Sequence, residues 1–120
     1  MKTSGGYRVQ GRGDEEAAAL IARAKELEDA GVFSMVLECV PAALAAKITA
    51  AVGVPTIGIG AGPDCDGQVQ VISDLLGYTE GFLPKHARRF CRVGPMAQQA
   101  IAEYIAEVRG KTFPAPENCF

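Results

Sequence analysis

Phe33-Ser34-Met35-Val36-Leu37-Glu38-Cys39-Val40-Pro41 is the stretch from which the rest of the chain can be read. Its first five residues are mostly apolar and rich in strand formers, and Gly31 and Pro41 bound it, so it predicts a buried strand. Upstream, Asp14 to Ala30 predicts a helix. Asp14 is its candidate cap, Glu15 and Glu16 suit its positive end, and Gly31 is placed to follow its last turn. Ala17, Leu20, Ile21, Ala24 and Leu27 recur at helical spacing as its buried stripe. Downstream, Pro41 opens a helix to about Val52 that carries Leu44 and Ile48 and stops at Gly53. Thr56-Ile57-Gly58-Ile59-Gly60 predicts the next strand. Strand to strand is about 23 residues, the arithmetic of a βα unit with parallel strands and a right-handed crossover.

Further along, Ala61-Gly62-Pro63-Asp64-Cys65-Asp66-Gly67 is a loop, and Gln68 to Ile72 predicts a third strand. Gly81, Pro84 and Gly94 interrupt residues 78–94, leaving room for a short helix from about Lys85 to Cys91. Pro95 starts a last helix to about Arg109, with a stripe of Ala97, Ile101, Tyr104, Ile105 and Val108, ended by Gly110. Three parallel strands make an incomplete sheet with unpaired edges. The expectation is one incomplete domain over residues 1–120 that self-associates or belongs to a larger barrel.

The 120 residues carry 12 Lys+Arg, 14 Asp+Glu and one His, with 48% hydrophobic and 22% charged residues. That composition belongs to a globular chain, and the near-neutral balance points away from nucleic-acid or polybasic membrane partners. No apolar run reaches the ~18–20 residues of a membrane span. Met1 to Gly6 lead into no apolar segment of a secretory signal. Cys39, Cys65, Cys91 and Cys119 form no CxxC pair, so four reduced thiols in the cytoplasm are expected.

Glu38 ends an apolar strand, where parallel α/β folds carry their chemistry. There it is a candidate general base, with partial burial expected to raise its pKa; a helix-capping or ion-pairing role is the alternative. Gly58-Ile59-Gly60-Ala61-Gly62 could cradle an anion, but Pro63 stands where a dinucleotide fingerprint needs glycine and no GK[ST] follows; close packing against the strand end is the other reading. Asp64-Cys65-Asp66-Gly67 opens like a calcium loop, yet the twelfth position is Leu75. Lys85, His86, Arg88 and Arg89 form a small basic cluster, either a solvated face or an anion contact.

Several strings stand in series: Gly5-Gly6-Tyr7-Arg8-Val9-Gln10-Gly11-Arg12, Val36-Leu37-Glu38-Cys39-Val40-Pro41, Pro55-Thr56-Ile57-Gly58-Ile59-Gly60-Ala61-Gly62, Asp66-Gly67-Gln68, Asp74-Leu75-Leu76-Gly77 and Pro84-Lys85. In this order and spacing, over about residues 5–120, the chain closely resembles the C-terminal half of the ketopantoate hydroxymethyltransferase family. The resemblance implies an α/β fold, about three βα units of a TIM-type (β/α)8 barrel of the phosphoenolpyruvate-mutase and isocitrate-lyase type. It implies transfer of a one-carbon unit from 5,10-methylenetetrahydrofolate to 3-methyl-2-oxobutanoate, giving 2-dehydropantoate for pantothenate synthesis. It assigns the proton-abstracting role to the glutamate of the VLECVP string, which is Glu38. It also implies Mg²⁺ on the keto acid, with ligands expected in the N-terminal half, and a cytoplasmic homo-oligomer. Ser73 stands where the family commonly has histidine. The isolated chain is therefore expected to show no transferase activity by itself; the alternative is a non-catalytic association module.

Overall fold

The computed structural model describes residues 9–11, 13–78 and 80–120. Gly5, Gly6, Tyr7, Arg8 and Arg12 of the first string lie outside the described residues. The chain divides into two compact units, one ending at Gln70 and one spanning Val71–Phe120.

In the N-terminal unit, α1 (Asp14–Asp29) leads into β1 (Met35–Glu38), α2 (Ala42–Ala51), β2 (Thr56–Ile59) and β3 (Gly67–Gln68). The sheet order is β1-β2-β3. Both pairings are parallel, with Val36 opposite Ile57, Glu38 opposite Ile59, and Gly58 opposite Gln68. The helices form because their apolar residues repeat at helical spacing, and they stop where the backbone must reverse. Gly31, with φ +87°, follows α1. Its N–H bonds to Glu28 O and that of Val32 to Leu27 O, which closes the last turn. Gly13, not Asp14, occupies the cap position of α1; Asp14 stands in the first turn with Glu15 and Glu16, where their charge faces the helix's positive end. Pro41 caps α2, its carbonyl accepting from Leu44 and Ala45 N–H.

Helices cover one face of this sheet. Met35 and Leu37 of β1 are buried with Ala24, Val40, Leu44, Ala45, Ile48 and Ala61, while Ala17, Leu20 and Ile21 pack half-buried against them. The alternate residues Val36 and Glu38 are exposed. Thr56 is fully buried and ties the elements together. Its hydroxyl lies 2.8 Å from that of Thr49, and its N–H and hydroxyl both donate to the Asp66 carboxylate, at 2.8 and 3.0 Å.

The C-terminal unit holds α3 (Ile72–Leu76), α4 (Val93–Gly110) and a 3-10 turn over Pro116–Asn118. From β3 onward the sequence reading needs three corrections. The third strand is confined to Gly67–Gln68, and Ile72 begins a helix. Val71, extended, turns the chain, Asp74 N–H bonds back to Val71 O, and Gly77 ends the helix at φ +64°. The residues from Lys85 to Cys91 form a turn and irregular chain instead of a helix, held by Phe90 N–H to Leu75 O and the Arg89 guanidinium to Gly81 O. The last helix begins at Val93, two residues early, and ends at Gly110. Its large stripe residues are exposed, from Ile101 at 58% to Ile105 at 42%.

Candidate functional site

Glu38 occupies the last position of β1, an edge strand. It shares a side of the sheet with Val36, turned away from the helix-packed core. The expected partial burial is not met: Glu38 is exposed, no element of the N-terminal unit covers that side, and Val36 beside it is 63% exposed. No hydrogen bond or ion pair to the Glu38 carboxylate occurs among the described residues.

The backbone beyond Glu38 turns sharply. Cys39 is buried, as expected of a small apolar side chain, and takes φ +53°, a left-handed conformation rare outside glycine. Its N–H donates to Ile59 O, extending the ladder by one bond, and its carbonyl accepts from Gln10 N–H at 3.0 Å. Bonds to two different segments thus fix the turn that carries the chain away from Glu38. A groove of about 300 Å³ runs along the free edge of β1, and Glu38, Val36, Gln10, Arg23 and Leu27 help line it. Its walls are apolar, with the carboxylate, the amide and the guanidinium as polar groups.

The glycine-rich segment shares this end of the sheet, since Glu38 pairs with Ile59 and Gly60-Ala61-Gly62 follow directly. Its role is close packing. Gly62 has φ +81°, and a Cβ there would lie 2.4 Å from that of Ala42, so the loop can press on the start of α2 only without a side chain. Asp66 belongs to the opposite end. It grips Thr56, three residues before Ile59 and so about 10 Å from it along the strand. Hydrogen bonds from the Thr56 backbone and then its hydroxyl hold the Asp66 carboxyl below its ordinary pKa. That carboxylate is a structural staple. The cluster Lys85, His86, Arg88 and Arg89 lies in the C-terminal unit. Arg23 is the groove residue with the weakest sequence signal, which is its place between Leu20 and Leu27 at the border of the α1 stripe.

A family model described as ketopantoate hydroxymethyltransferase matches residues 1–116. The chain belongs to this family. A Geotalea daltonii protein named 3-methyl-2-oxobutanoate hydroxymethyltransferase is 55% identical over 116 residues, which are 97% of this chain and 43% of that protein. Proteins of the same name from Syntrophomonas wolfei and Paracoccus denitrificans are each 53% identical, over 97% and 100% of this chain and 42% and 44% of their own lengths. The chain thus spans under half the length of these relatives.

Proposed function

We propose that the chain acts as the C-terminal portion of a (β/α)8 barrel and supplies Glu38 as the base of a hydroxymethyl transfer to 3-methyl-2-oxobutanoate. The co-substrate in this reading is 5,10-methylenetetrahydrofolate, and the product, 2-dehydropantoate, feeds pantothenate synthesis. The supporting observation is the placement of Glu38. A carboxylate ends a parallel strand on the side that the helices leave open. The Glu38 carboxylate takes the C3 proton, which is acidic because the adjacent ketone accepts the electron pair. The enolate carbon bonds to the methylene carbon, both of whose bonds to folate nitrogens break in the course of the transfer. Water supplies the hydroxyl of the new hydroxymethyl group, and the two nitrogens take up the C3 proton and a proton from that water.

The Mg²⁺ expected from the resemblance finds no fit here. No three His, Cys, Asp or Glu side chains gather as a metal site among the described residues. No step is assigned to it, and Asp66 is engaged by Thr56. A cytoplasmic homo-oligomer completes the proposal. Four cysteines without disulfides support a reducing compartment, and the exposed apolar stripe of α4 supports association. No described helix is long and apolar enough to cross a membrane.

The test is a chimera in which this chain replaces the matching part of the Geotalea daltonii relative. Turnover of keto acid and folate donor is expected, falling about 10²–10⁴-fold in Glu38→Gln. A folded chimera without turnover, beside an active parent relative, would overturn the proposal.

A further inference from the structure

We propose that the C-terminal unit carries an oxyanion pocket, built by Arg89 and Arg92, that takes the carboxylate or phosphate group of a small molecule. This inference is independent of the role given to Glu38. A cavity of about 340 Å³ is lined by Gly77, Glu80, Arg89 and Arg92. At about 30 Å³ per water molecule it has space for roughly ten waters, more than a single bare oxyanion needs.

Three features favour an anion. First, residues 80–92 hold Lys85, Arg88, Arg89 and Arg92 against Glu80 alone, in a chain whose net charge is −2. The positive charge is therefore concentrated here against the trend of the molecule. Second, the chain fixes the guanidinium of Arg89 and the backbone of Arg92. Arg89 is half-buried, and its Nη2 donates to Gly81 O at 2.8 Å. Arg92 stands at the N-terminal cap of the 18-residue α4, whose first turn holds no acidic residue, so the helix's positive end adds to its charge. Arg88 takes another course, over the Phe90 ring at 5.1 Å. Third, the frame is rigid. Gly94 N–H donates to Gly77 O, Phe90 N–H to Leu75 O and the Cys91 thiol to Leu76 O. A Cβ on Gly77 would lie 2.4 Å from Cys91 O, so the two backbones touch. Planar guanidinium forks suit carboxylate and phosphate oxygens. Glu80 opposes the anion and tunes its affinity downward.

The experiment is calorimetric titration of the full chain at low salt, with inorganic phosphate in one arm and glutarate in the other. Saturable binding is expected in at least one arm, and the arm that binds identifies the oxyanion. Arg92→Gln should weaken it by about tenfold or more, and Arg89→Lys, which keeps charge but loses the fork, should weaken it too. Glu80→Gln should tighten it about threefold. No saturable binding in either arm, or unchanged affinity in an Arg92→Gln chain with the parent circular dichroism spectrum, would overturn the pocket. If Arg92→Gln does not fold, Glu80→Gln decides: tighter binding supports the pocket and unchanged or weaker binding overturns it.

Discussion

The two units use the same pattern of apolar residues and differ in what covers it. In the N-terminal unit the stripes of α1 and α2 meet Met35 and Leu37, and Ile48 is 2% exposed. In the C-terminal unit α4 carries an equally regular stripe, yet none of its residues is buried. Tyr104 meets the Phe113 ring edge-on at 5.5 Å, and both Tyr104 and Ile101 remain more than half exposed. A helical stripe thus records that a face is suited to burial, while the elements present determine whether it is buried. The βα units close on neighbours a few tens of residues away in sequence, which is why their core is self-contained.

Paired truncations test this comparison most strongly. Ile48→Ala should lower stability by about 2–5 kcal/mol, the range for emptying a packed site. Ile105→Ala should cost about 0.5 kcal/mol or less, because little contact is lost. Urea unfolding of both variants checks the pair, and equal costs would break the contrast. Thr56→Val comes next. It keeps the shape of a fully buried side chain but removes the hydroxyl shared with Thr49 and Asp66, and should cost about 1–3 kcal/mol in the same assay.

The smallest expected effect depends on pH. The bonds from Thr56 lower the folded-state pKa of Asp66, so the folded chain holds fewer protons than the unfolded chain as pH falls through the ordinary aspartate value of ~3.9. The contribution is full above that range and fades as pH drops toward the lowered folded value. The stability advantage of the parent over Asp66→Asn should therefore be largest near neutral pH and shrink on acidification. Unfolding midpoints measured across pH 7 to 3 check the sign. An advantage that grows on acidification would contradict it.

The legible parts of the sequence were those where one physical signal dominates. β1 and α2 could be placed from a short apolar run and a helical repeat between a glycine and a proline. Glu38 could be found because a carboxylate ends an otherwise apolar strand. The stretch Val69 to Ile72 misleads because β-branched residues suit both an extended segment and the start of a short helix, and four residues show no period. Lys85 to Cys91 reads as helical from composition, while long-range bonds to Leu75, Leu76 and Gly81 give it another path. The exposure of Glu38 was not readable either, since it depends on which elements cover the far side of β1. The left-handed turn at Cys39 also leaves no sequence signal, because a buried cysteine is ordinary and its conformation is set by Gln10 and Ile59.

The central claim is that Glu38 is the base, and exchange of the C3 proton of 3-methyl-2-oxobutanoate in D₂O tests it apart from one-carbon transfer. The measurement compares the chimera carrying this chain with its Glu38→Gln variant, both shown by circular dichroism to be folded and by titration to bind the keto acid. The account predicts that exchange falls about 10²–10⁴-fold in the variant while binding is nearly unchanged. A folded, keto-acid-binding Glu38→Gln variant that exchanges the C3 proton at the parent rate would contradict it.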